Sequence, residues 1–156
     1  GMTCVDWIGK AGNIQAVEGQ IYGGMSHAIG FALSEDYEDV KKQNNVLGCG
    51  IATANMLPDD IQLIHIQTPR TTSPFGSSGG SEAFQSGDHM AVINAINNAT
   101  GVRVYELPAY PEKVKAGLEA LAAGKKDPLK PEKYFLGSDF EEEMENIRNN
   151  PVYYED

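Results

Sequence analysis

Cysteine, tryptophan and basic side chains are scarce in this sequence, and long apolar runs are missing. Its 156 residues include two cysteines, one tryptophan, and 12 Lys and Arg against 22 Asp and Glu, for a net charge of −10. Cys4 and Cys49 lack the close spacing of a metal knuckle, so a cysteine zinc site is excluded. A single disulfide stays open, but two idle thiols in a reducing cytoplasm are the expectation. Basic residues pair only at Lys41-Lys42 and Lys125-Lys126. Nucleic-acid binding needs clustered cations to neutralise phosphates, so it is excluded as well. No apolar stretch approaches the 18 or more residues of a membrane helix. No basic-then-apolar signal peptide opens the chain, and Gly1 before Met2 reads as a cleavage scar with Met2 as the native start.

What is present is an ordinary globular composition, 41% apolar and 22% charged. Residues 18–37 predict a helix, with Ile21, Met25, Ile29 and Leu33 recurring every four positions and Tyr22, Ala28 and Ala32 widening the face. Gly19, Gly23, Gly24 and Gly30 lie in or beside it, each costing about 1 kcal/mol against Ala inside a helix. Either tight packing against a sheet or close approach of a ligand accounts for them. Residues 60–66 predict a strand, and residues 102–107 alternate as a second. Between the strands, Ser86 or Asp88 is placed to cap a second helix with Met90, Ile93, Ile96 and Asn97 inward, ending at Gly101. Pro111 opens a third, with Val114, Leu118 and Leu121 inward and Gly124 at its end. Beyond Gly124 a Lys- and Pro-rich linker leads to a capping box, Ser138 with Glu141, and a short helix with Phe140, Met144 and Ile147 inward. The predicted class is α+β: helices packed on a small sheet over residues 2–124, with a linker and helical tail over 125–156.

The stretch Ser73-Pro74-Phe75-Gly76-Ser77-Ser78-Gly79-Gly80-Ser81-Glu82 combines backbone freedom with a terminal carboxylate. It has no Lys-Ser/Thr of a phosphate loop and no GxGxxG spacing. No GxSxG elbow marks a serine nucleophile, and His27, His65 and His89 have no ligand spacing, so no protein-ligated metal is expected. Glu82 reads either as a solvated first-turn acid or as a general base tuned by burial.

Several motifs together resemble the molybdenum hydroxylases, the aldehyde oxidoreductases and xanthine dehydrogenases. They are Gly19-Gln20-Ile21-Tyr22-Gly23-Gly24 through Glu35, Pro74-Phe75-Gly76 through Glu82, Ile93-Asn94-Ala95-Ile96, Thr100-Gly101-Val102-Arg103 and Leu107-Pro108. The match is to the C-terminal end of the family's molybdopterin-binding catalytic subunit. The tail Lys133-Tyr134-Phe135-Leu136-Gly137-Ser138 is similar to bacterial aldehyde oxidoreductases.

The resemblance implies that the Gly-rich loop passes beside a molybdopterin–molybdenum cofactor and that Glu82 is the general base. It implies cofactor contacts from Gly79, Gly80, Ser81 and Gln20. Against the family's usual loop, Gly80 stands for Val, Ser81 for Gly, and Ala83 for the Pro after the glutamate. Most of the catalytic subunit lies outside this sequence, so no catalysis by the chain alone is expected. One reading makes it a piece completed by a partner molybdenum-hydroxylase subunit. The alternative is a cofactor-free binding or structural module of the same descent. In isolation a cytoplasmic homo-oligomer is expected, covering an apolar surface around the first helix and the loop.

Overall fold

The computed structural model describes residues 1–6, 8–39, 41–131 and 140–150. Strand β1 (Met2–Asp6) pairs in parallel with β2 (Ile61–His65), in register from Met2 against Ile61 to Asp6 against His65. The long helix α1 (Ile14–Leu33) lies in the connection between them, as a parallel pair requires. Helices α2 (Asp88–Thr100), α3 (Pro111–Ala122) and α4 (Phe140–Asn149) follow, with single 3₁₀ turns at Ala54–Met56, Pro74–Gly76 and Glu82–Gln85. The α+β class stands. Strand β2 falls where the sequence places it, whereas β1 was not foreseen.

Helix α1 begins four residues before the predicted start because Asn13 caps it, its side-chain oxygen accepting from the Ala16 amide at 3.1 Å. It also ends early. The amides of Ser34 and Glu35 both donate to the Gly30 carbonyl at 2.8 Å, and the Ser34 hydroxyl donates to the Gly50 carbonyl at 2.6 Å. Ile21, Met25, Ala28, Ile29 and Ala32 are buried as predicted, but Tyr22 is exposed and takes no part in the face. At Gly30 an added Cβ would lie 2.9 Å from the Ala52 amide nitrogen, so this glycine admits the crossing loop.

The core has two parts. Ile8, Ile21, Met25 and Phe84 form one, with Ile61 and Leu63 of β2 against it. Ala32, Ile93, Val102, Val104 and Ala109 form the other, flanked by Val114, Leu121 and Leu129. Each fully buried large side chain contributes about 1.5–3 kcal/mol.

Neither Ser86 nor Asp88 caps α2: its N-cap is Gly87, and the Ser86 hydroxyl donates to the Ala83 carbonyl. Met90 is exposed, so the α2 face is Ile93 with Ile96 and Asn97 beside it. Residues 102–107 do alternate, Val102 and Val104 inward, yet among the described residues they have no ladder partner. An extended chain packed on helices shows the same two-residue period as a strand. On α3 the buried residue is Gly117, where a Cβ would stand 2.5 Å from Val102 Cγ1; this turns Leu118 out to solvent.

Gly101, in the left-handed region at φ 74, ends α2, and Pro111 opens α3, both as predicted. In the tail, α4 is present but Ile147 is exposed rather than inward. Ser138 of the capping box and the side chains of Phe140 and Cys4 lie outside the described residues, whereas Cys49 is a buried free thiol.

A polar contact joins the two ends of the second cluster: the Tyr110 hydroxyl, just before α3, donates to the Asp36 carboxylate at 2.8 Å. The Glu38 amide and this hydroxyl hold the Asp36 pKa below its ordinary value, and the same bond pushes Tyr110 up to about 12. A depressed carboxylate stabilises above its unfolded pKa of 3.8 and loses that contribution as pH falls through the folded value. A raised tyrosine stabilises below its unfolded pKa of 10.0 and loses it as pH rises towards about 12. Tyr110→Phe is therefore expected to lower Tm throughout the window between those limits, the gap to wild type shrinking on either side. Thermal melts across pH check this; a pH-independent gap would refute the assignment.

Candidate functional site

The Gly-rich loop is fastened to the short segment 8–10 between β1 and α1, where Gly9 bridges Ser77. The Lys10 and Arg70 amides both donate to the Gly76 carbonyl, at 2.9 and 3.0 Å, and the Ser78 amide donates to the Ile8 carbonyl at 3.0 Å. Gly76 is buried at φ 74, with a Cβ position 2.8 Å from Pro69, so backbone geometry alone demands glycine there. After the loop, Glu82–Gln85 makes one 3₁₀ turn whose Phe84 is buried against α1.

The glycines near this turn fall into two groups. At Gly24 an added Cβ would sit 2.8 Å from the Phe84 backbone, and at Gly80 it would sit 2.8 Å from Ile8 Cγ2. Those two are needed by the fold. At Gly19, Gly23 and Gly79 an added Cβ meets nothing within 4 Å. Gly19 and Gly23 occupy the exposed side of a helix interior, each at a cost of about 1 kcal/mol that no internal contact offsets.

Gly19 and Gly23, with Gln20, Gly24, His27, Ser81 and Gln85, line a cleft of about 160 Å³ between α1 and the 3₁₀ turn. Across it the Ser81 hydroxyl donates to the Gln20 side-chain oxygen at 2.7 Å. A second cleft of about 260 Å³ shares His27 and Gln85 and adds Phe31 and His89, whose rings meet edge-to-face at 5.4 Å. The floor is bare backbone, and the walls offer amide, hydroxyl and imidazole groups. Such a surface accepts a flat polar molecule at van der Waals distance and hydrogen-bonds its edge.

The predicted site residues are thus partly brought together. Gln20 and Ser81 face each other and line the cleft. Gly79 is exposed beside the loop's end, while Gly80 packs inward on Ile8. Glu82 is exposed at the start of the 3₁₀ turn; it follows Ser81 in the chain but does not line the cleft. His27, without a partner at ligand spacing in the sequence, nevertheless lines both clefts. The signal for it was the spacing of Gly19, Gly23, His27 and Phe31, every four residues along one helix face. Among the described residues no three His, Cys, Asp or Glu side chains gather to hold a metal ion, and no helix is long and apolar enough to cross a membrane.

A family model described as a molybdopterin cofactor-binding domain matches residues 1–58. An aldehyde oxidoreductase of Megalodesulfovibrio gigas is 49% identical over 123 residues, 79% of this chain and 13% of that protein. The nicotine 6-hydroxylase large subunit of Paenarthrobacter nicotinovorans is 35% identical over 65% of this chain and 13% of its own length. Among solved structures, the aldehyde oxidoreductase from Desulfovibrio gigas superposes with a TM-score of 0.72 at 46% identity, over 75% of this chain and 13% of that one. The chain spans only 13% of the length of these relatives.

The two groups of glycines predict opposite outcomes. Gly23→Ala is expected to stabilise the isolated chain by about 1 kcal/mol, since the helix gains and nothing is displaced. Gly24→Ala is expected to destabilise it by about 1–3 kcal/mol through collision with the Phe84 backbone. Urea unfolding of both variants measures the difference, and equal signs would refute the division.

Proposed function

This chain belongs to the molybdenum hydroxylase family, matching a part of its molybdopterin-binding subunit, and on that premise we propose that it supplies one wall of a molybdopterin site and the carboxylate that serves it. The observation behind the proposal is the pair Gly19 and Gly23: exposed helix glycines with no neighbour of their own, lining a cleft beside the loop. These residues fit a flat, polar cofactor edge, because a Cβ at either position would fill the space the cofactor needs.

In this reading the backbone at Gly19 and Gly23 forms the floor. Gln20 and Ser81 supply hydrogen bonds to the cofactor's polar edge, and Gly79 keeps the loop free of side chains on that side. Bound molybdopterin with its molybdenum supplies the oxidation–reduction chemistry. Glu82 acts as general base, taking up one proton at a carboxylate oxygen as substrate is oxidised; its exposure in this chain leaves it available to a pocket that further protein encloses. The identity to an aldehyde oxidoreductase supports an aldehyde as the substrate class. One wall cannot hold a reacting constellation within the fractions of an ångström that catalysis requires, so activity depends on the remaining subunit.

The cofactor-free alternative draws on the Ser81–Gln20 bond, by which the two polar groups of the cleft satisfy each other within the chain. Elemental analysis of tagged protein from its native host, with whatever co-purifies, separates the two. Near-stoichiometric molybdenum together with a larger partner chain is the expected result. In that complex Glu82→Gln should lower aldehyde oxidation by about 10²–10⁴-fold and leave the metal content unchanged. A folded chain with neither molybdenum nor partner would replace this function with the cofactor-free one.

A further inference from the structure

A third cavity, sharing no residue with the cleft at Gly19 and Gly23, opens between α1 and α2. It measures about 400 Å³ and is lined by Ile29 and Leu33 of α1, Met56 and Pro58 of the intervening loop, and Asp88 and Val92 of α2. Ala91 and Ala95 on the same helix leave it room. Among the described residues Asp88 supplies the single side-chain carboxylate of this lining, and its buried Oδ2 has no hydrogen-bond partner among them. Burial pushes the Asp88 pKa up, with His89 opposing the shift.

A buried carboxylate oxygen without a donor is costly, and native proteins rarely leave one unmet. The volume and the lining, apolar but for the Asp88 side chain and the terminal amine of Gly1, match those of small-molecule sites. The Asp88 carboxylate is an acceptor and an anion, so its complement is a donor and a cation. The chain's net charge of −10 favours the approach of such a ligand. We propose that this cavity binds a small alkylammonium cation, its head on the Asp88 carboxylate and its alkyl chain along Ile29, Leu33 and Val92. The proposal is independent of the molybdopterin reading, since it concerns another flank of α1 and needs no cofactor.

Titration of n-butylammonium into the ¹⁵N-labelled chain tests it, with n-butanol and butyrate as parallel probes. Saturable amide shifts at Ala91, Val92 and Ala95 are expected for the ammonium. Binding of n-butanol should be about tenfold weaker, because a charge-assisted hydrogen bond is lost, and butyrate should not bind. Asp88→Asn keeps the shape and should weaken n-butylammonium by a similar factor while leaving n-butanol unchanged. Ala95→Leu fills the cavity and should abolish both; should that variant not fold, the Asp88→Asn comparison decides. Gly1 also lines the cavity, and acetylating its amine removes a like charge and should tighten the cation. Equal affinity for n-butylammonium and n-butanol, no response to Asp88→Asn, or shifts confined to the cleft at Gly19 would overturn the proposal.

Discussion

The contact of Phe84 with the bare backbone of α1 at Gly24 is the constraint on which the rest of the site depends. With no side chain at position 24, the 3₁₀ turn lies directly on the helix. The Phe84 ring then reaches the core shared by Ile8, Ile21 and Met25. Ile8 in turn holds the Gly-rich loop through its carbonyl, and Gly80 lies against its side chain. Loop, turn and helix are therefore fixed through one aromatic anchor and two close approaches. The position of Ser81 opposite Gln20, and of Glu82 at the turn's start, follows from that packing.

The second cluster is held differently. Its hydrophobic members come from segments without a shared sheet: the end of α1, α2, the extended residues 102–109 and α3. The polar ties run along its edge, from the Ala109 amide to the Ala32 carbonyl at 2.7 Å and from Tyr110 to Asp36. Both bind the C-terminal end of α1 to the entry of α3. Helix α2 joins the same cluster through Ile93, packed with Ala32 and Val102.

Much of this was legible in the sequence. The stripe from Ile21 to Ile29 gave α1 its face, and Gly101 and Pro111 marked element ends by backbone chemistry that tertiary context seldom overrides. Residues 102–107 were misread because alternation reports an extended backbone with one side buried, and says nothing of a hydrogen-bonded neighbour. Strand β1 was missed because five residues opening a chain carry little pattern, and its partner lies 59 positions away in the register. Glycine content was legible as a fact but not as a cause. Gly24, Gly80 and Gly117 serve packing, Gly76 serves a positive φ, and Gly19 and Gly23 serve neither; only coordinates separate these.

The pair Gly19 and Gly23 has one more consequence. Two weak helix formers about a turn apart lower the local stability of this stretch of α1 relative to the stretch under the core. Its amide protons should exchange with solvent faster than those at Met25 to Ala32, which sit under the core. A ligand resting on that turn must first still it, so occupancy and local helix order become two measures of one equilibrium. In the proposed function, the cleft's affinity for a cofactor therefore depends on the opening of α1 as well as on the groups that line it.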